Sequence, residues 1–162
     1  MAVATAFVQS VLGFINIGFK VVAGYEKRYP FNMAVSYHKM HALMGDYPNV
    51  EIDYSKVMLS QGNLLPAQQS LVSLIPERLR FSWFTDPLHW DQSDLDQVML
   101  MAYFSASKHA IYMLAGAVRS AGSDILKIPL EMQEGFVETY ISFITEDRTA
   151  VANSVYTGRV YL

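Results

Sequence analysis

Along the first two dozen residues the polar positions fall into one stripe. Thr5, Gln9, Asn16 and Lys20, with Gly13 and Gly24, recur at steps of three, four and seven, and most of the residues between them are apolar. That period leaves one narrow wet face on a helix, so the pattern predicts a helix over about Ala2–Tyr25. A second, shorter helix is predicted over Asn32–Gly45. Asn32 is suited to accept hydrogen bonds from the free N–H groups at its start, and Gly45 to take the left-handed stop. Val50, Ile52 and Tyr54 then alternate with Glu51 and Asp53, the pattern of a short half-exposed strand. Ser55–Gln61 reads as a helical turn ended by Gly62. Pro66 suits the first turn of a helix running to about Ile75, where Pro76 redirects the chain. Arg78–Phe84 fits neither period cleanly, and Thr85–Trp90 reads as a loop.

The longest apolar pattern runs from Ser93 to about Ala121, with Gly122 beyond it. Ser93 and Asp96 resemble a capping box, and Asp94 adds a favourable charge at a helix start. Leu95, Met99, Ala102, Ala106, His109, Met113 and Gly116 form one stripe; Leu100, Phe104, Ile111, Leu114 and Val118 form another. Only a strip around Gln97, Ser105, Lys108 and Arg119 is left polar, so the pattern predicts a helix covered on most sides. A last helix is predicted from near Pro129, with Phe136, Val137, Tyr140, Ile141, Phe143 and Ile144 inward. Lys127, Glu131, Glu134 and Glu138 would face outward. The tail SVYTGRVYL suits a strand or tight hairpin that could pair with Val50–Tyr54. Together these elements predict a mainly α fold, a compact bundle of about five helices. A minor β element would comprise residues 50–54 and the C-terminal tail. Residues 1–162 form a single helical domain, in which 1–25 is an apolar helix used in packing or association.

Composition sharpens this picture. The 162 residues are 52% hydrophobic and 17% charged, more apolar than an average soluble domain. Such a chain has more apolar surface to hide than a single small core requires. It contains no cysteine, which excludes disulfides, thiolate catalysis and Cys-ligated metal. The net charge of −3 is unevenly spread: residues 1–80 carry seven basic and five acidic side chains, residues 81–162 five and ten. No Lys/Arg cluster appears, so nucleic acid is not indicated as a partner for a single copy.

Ala2–Gly24 also poses a membrane question. Twenty-three helical residues span about 35 Å against a hydrocarbon core of about 30 Å, and its eleven Val, Ile, Leu or Phe residues contribute about −5 kcal/mol toward insertion. Gln9, Ser10, Asn16, Lys20 and three glycines oppose this. The single polar stripe favours a protein groove over lipid. No basic stretch precedes the apolar run and no clear small-x-small site follows, so it does not read as a secretion signal.

Candidate chemistry is sparse. His38 and His41, three apart on a predicted helix, have a spacing that can share a metal, but no His-Glu-x-x-His pattern accompanies them. Ser105 and His109 stand at i and i+4 without a nucleophile elbow. Asp91, Asp94 and Asp96 lack the glycine and closing glutamate of a calcium loop. Gly13 and Gly18 sit in too apolar a context for a phosphate loop. No catalytic residue, metal ligand or cofactor is assigned.

The reading is a non-enzymatic structural or assembly protein that associates with itself or with other protein subunits, soluble or particle-associated. The shell of a virus or phage particle, or an accessory subunit of a large complex, are candidate settings. Phe7, Val11, Phe14, Ile15, Phe19, Met99, Tyr103, Tyr112 and Met113 are the interface residues this predicts. One alternative is a membrane-associated subunit anchored by residues 2–24. Another is a small helical enzyme or ligand-binding protein with a pocket near His38 and His41 or near His109.

Overall fold

The computed structural model describes residues 2–88 and 92–162. The chain is mixed α and β, not a helical bundle: among the described residues four short helices cover one face of an antiparallel sheet, and a second sheet covers the other. The helices are α1 (Ala2–Ser10), α2 (Leu12–Gly18), α3 (Lys20–Glu26) and α4 (Pro30–His41).

The predicted first helix is therefore three pieces, interrupted at Val11 and Phe19. Both interrupting residues are fully buried and leave helical backbone angles, Val11 at φ −120 and Phe19 at φ −105. Its predicted wet stripe holds: Thr5, Gln9, Gly13, Asn16, Lys20 and Gly24 are all exposed, while Phe7, Val8, Val11, Phe14, Ile15 and Phe19 are buried in the chain's own core. Among the described residues, no helix is long and apolar enough to cross a membrane. α4 starts at Pro30, whose missing N–H costs nothing in a first turn; Asn32 is not its cap. Gly45, with φ +81, serves the connection between β1 (Leu43–Met44) and β2 (Glu51–Ile52) rather than a helix stop. β2 pairs with β1 and not with the C-terminal tail. The turn predicted at Ser55–Gln61 is a 3-10 turn over Tyr54–Lys56.

The remaining corrections are all helix to strand. β3 (Leu71–Ile75), β4 (Arg78–Ser82) and β7 (Ser123–Lys127) make a three-stranded sheet in the order β3-β4-β7. β5 (Gln97–Phe104), β6 (His109–Met113), β8 (Phe136–Ile144) and β9 (Val155–Tyr161) make the four-stranded sheet β6-β5-β8-β9. The predicted Ser93–Ala121 helix is thus a β5–β6 hairpin whose Phe104 pairs with His109 across Ser105–Lys108. Lys108 takes φ +54 in that turn.

The physical reason for the misreading lies in the layering. β5 sends Met99, Met101 and Tyr103 into the helix-side core and Val98, Leu100, Ala102 and Phe104 into the sheet-side core. A strand covered on both faces loses its polar alternation and becomes a continuous apolar run, which fits any period. β8 behaves alike: Tyr140 and Ile144 face the helices, Val137, Ile141 and Phe143 the second sheet. Of its predicted outward residues, Lys127, Glu131 and Glu134 are exposed, but Glu138 is buried. The tail is a strand as expected, paired to β8 through a bulge. There Thr157 is the extra residue, its hydroxyl 2.6 Å from that of Thr139, and Gly158 supplies φ +108.

Candidate functional site

One end of the sandwich is organised around a single arginine. Arg119 stands in a short 3-10 turn, Arg119–Ala121, closed by Gly122 in the left-handed conformation. Sequence pattern placed Arg119 on a wet strip; it is buried. Its guanidinium lies 3.9 Å above the centre of the Phe143 ring. It meets the buried Asp96 carboxylate at 3.2 Å and donates to the carbonyls of Leu65, at 2.8 Å, and Ser93, at 3.2 Å. The Arg119 carbonyl in turn accepts from the Trp83 indole N–H at 2.6 Å, and Trp83 packs edge-on against Phe143. Three chain segments, at Leu65, Ser93–Asp96 and Phe143, meet this one side chain and a fourth, at Trp83, bonds its carbonyl, so the loops there are held largely by charge-assisted bonds.

What these loops present outward is apolar. Leu65 is 51% exposed, Phe84 48% and Leu88 87%, and Leu95 and Val118 are exposed too. Leu65 itself bonds Arg119. Phe84 follows Trp83, Leu95 precedes Asp96 and Val118 precedes Arg119. Leu88 closes an Asx turn in which its N–H donates to Asp86 at 3.0 Å. The rim is acidic. Leu95 borders a surface hollow shared with Glu146 and Asp147, and Asp86 and Asp94 flank the same loops. Hydrogen bonds from Thr149, and then from Thr145, hold the Asp147 carboxyl below its usual range. Exposed apolar side chains rimmed by charge are one form an interaction surface takes. The pattern of periodic stripes could not point to it, because these residues stand singly in loops; the nearest signal was the bulky residues around Asp86-Pro87-Leu88.

The predicted interface residues lie elsewhere. Phe7, Val11, Phe14, Ile15, Phe19, Met99 and Tyr103 are spent in the chain's own core. Met113 is half-buried against the sheet-side core, and Tyr112 is exposed with its ring on Phe14. The three aspartates are not brought together as a set: Asp96 pairs with Arg119, Asp94 stands in the 3-10 turn Gln92–Leu95, and Asp91 lies outside the described residues, as do His89 and Trp90 of the predicted loop. Ser105 and His109 flank the β5–β6 turn, with His109 exposed.

His38 and His41 do not converge. His41 is exposed against the Tyr37 ring. His38 is buried, its Nδ1 2.7 Å from the Ala34 carbonyl and its Nε2 accepting from the Met58 N–H at 3.2 Å. With both ring nitrogens occupied, the neutral tautomer with its proton on Nδ1 is required. Among the described residues no group of three or more His, Asp or Glu is placed to hold a metal ion. Burial lowers the His38 pKa below 6.5. As pH falls through about 6.5, the unfolded chain therefore takes up this proton first and the fold loses stability. Melting temperature should be flat between about pH 7.5 and 9, below the range where phenols titrate, and decline as pH falls below about 6.5, and H38Q should melt lower at pH 7 but with a shallower acid decline. Parallel slopes for the two proteins would remove His38 as the cause.

A second recess lies between α1, the β1–β2 hairpin and β5, a groove of about 520 Å³. Phe7, Tyr54 and Tyr103 are in mutual ring contact at 5.2–6.0 Å. Burial, then the neighbouring Tyr103 and Glu138, push the Tyr54 hydroxyl up to about 12. Lys108, Arg159, Glu51 and Ser105 also line the groove. Behind it the buried Glu138 accepts from Tyr156 at 2.7 Å and from two nitrogens of Arg159 at 2.9 and 2.7 Å. Burial raises the Tyr103 hydroxyl as well, and the carboxylate lining the groove itself, Glu51, is exposed.

Residues 1–158 match a family of unknown function (DUF6266). No curated protein matches the chain.

Proposed function

The chain belongs to that family of unknown function, and we propose that it is a non-enzymatic assembly subunit that associates with copies of itself. The observation that supports this reading is the apolar loop end: Leu65, Phe84, Leu95 and Val118 stand exposed beside the segments that Arg119 ties together, and Leu88 stands exposed on the Asp86 turn beyond Phe84. Exposed apolar side chains on fixed loops lose little conformational entropy on docking, so most of their burial energy is retained. Leu88 is the natural anchor, since burying a leucine contributes about 1.5–3 kcal/mol.

Sedimentation velocity on the purified chain tests the reading. The wild type should sediment well above the 18.3 kDa of one chain, and L88D or F84S should return it to that mass without changing its circular dichroism. A wild type that stays at one chain across a wide concentration range would remove the proposal.

The groove supports a second reading, a ligand-binding protein. Its volume lies in the range of small-molecule sites, and its aromatic walls with Lys108 and Arg159 suit an aromatic anion. The aromatic anion 1-anilinonaphthalene-8-sulfonate should then fluoresce on binding, and K108E should weaken it several-fold. Equal binding by K108E and wild type would count against this site.

A further inference from the structure

We propose that association is head to tail, the apolar loop end of one copy seated on the opposite end of the three-stranded sheet of the next; this rests on the self-association reading and names its partner surface. At the far end of β4 the chain turns through Pro76 and Glu77, with Glu77 at φ +62. Beside that turn lies a recess of about 290 Å³ walled mainly by Leu74, Ile75, Pro76, Ile128 and Leu162, with Glu77 and Gln133 also lining it; Glu77 is one acid against the three bases Arg78, Arg80 and Lys127. A cavity of about 150 Å³ accepts a benzene ring, so this one has room for the Leu88 or Phe84 side chain of a second copy.

Charge selects the same pairing. Arg78 and Lys127 are directly opposed in the β4–β7 register, and Arg80 follows two residues along, on the same outer face. All three are exposed, and none has an ion pair among the described residues. The loop end carries the complementary sign in Asp86, Glu146 and Asp147. Two loop ends meeting face to face would set these carboxylates against each other, and like charges opposed across an interface disfavour that arrangement. The two surfaces lie at opposite ends of β4, since Arg78 opens the strand and Trp83–Phe84 follow it. A contact between different surfaces of identical chains repeats, closing into a ring or continuing as a filament.

Mixing two blocked variants tests this. L88D blocks the loop end, and R78E with K127E blocks the receiving end; all three positions are exposed. Each variant alone should sediment as one chain, and their mixture should form a 1:1 complex, because one contributes an intact tail and the other an intact head. Association of wild type should also weaken as salt is raised. If the charge-reversed variant still associates like wild type, or if the mixture stays at one chain, head-to-tail docking is overturned while association through the loop end stands. If wild type itself is a single chain, the underlying reading falls as well. L74W, which fills the recess without altering charge, reads the same end; it should behave as R78E/K127E does, and wild-type association by it would equally overturn the arrangement.

Discussion

Replacing Arg119 with methionine should cost about 3–5 kcal/mol of folding stability, the usual range when one partner of a buried ion pair is removed. The length of the side chain is kept, but the Asp96 carboxylate stays buried without its partner cation, and the Leu65 and Ser93 carbonyls lose a donor. For a domain of this size, that corresponds to a fall in melting temperature on the order of 10 °C. Urea titration of R119M measures it directly, and a loss below about 1 kcal/mol would show that the loops are held by something else. Adding D96L should recover part of the loss, because an apolar pair of similar volume does not need the missing charge. Association should suffer further, since the loops bearing Leu65, Leu95 and Val118 lose their common tether.

The second large effect is expected at Gly18. A Cβ there would collide with the Leu59 carbonyl oxygen and approach Ser60 Cβ and Cα at 2.8 and 2.9 Å. These are largely backbone atoms of a buried segment, itself fastened by the Gln61 N–H to the Gly18 carbonyl at 3.1 Å and by Ser60 to Ser142 at 2.7 Å. Nothing there can swing aside, so G18A should cost roughly 1–3 kcal/mol, the range for overpacking a tight site. G13A is the matched control. Its Cβ would meet only the Tyr112 hydroxyl end, on an exposed ring that can turn away, and alanine gains up to about 1 kcal/mol of helix propensity over glycine. Chemical denaturation should place the two variants on opposite sides of wild type, or at least well apart. Equal losses would mean that helix backbone effects, not the close approach at Leu59, dominate.

The N-terminal stripe was legible because α1–α3 lie on the surface of the domain: one face touches water, so Thr5, Gln9, Asn16 and Lys20 keep the period that reports it. The C-terminal strand was legible for a related reason, being an edge strand with alternating demands. β5 and β8 were not, because an interior strand between two layers has no wet face to keep a polar alternation: β5 is apolar almost throughout, and the polar residues of β8, Glu138, Thr139 and Ser142, are buried and hydrogen-bonded inside the protein. In so apolar a run the stripe Leu95, Met99, Ala102, Ala106, His109, Met113 and Gly116 could be drawn at helical period, and tertiary packing overrode it. The candidate site was the least legible part. Arg119 and Asp96 are 23 residues apart, and a buried ion pair at that separation leaves no local pattern.

By itself the sequence determined the wet face of the first helices, the absence of thiol chemistry and the excess of apolar side chains over charged ones. Each of these follows from residue type or from a period that solvent on one side preserves. Tertiary structure decided which apolar runs became strands, which of them were consumed in the core and which stayed outside, and that Arg119 should be buried rather than wet. Those outcomes depend on what covers each face of the chain, and that is set by pairing across β5, β8 and β9 between residues far apart in sequence.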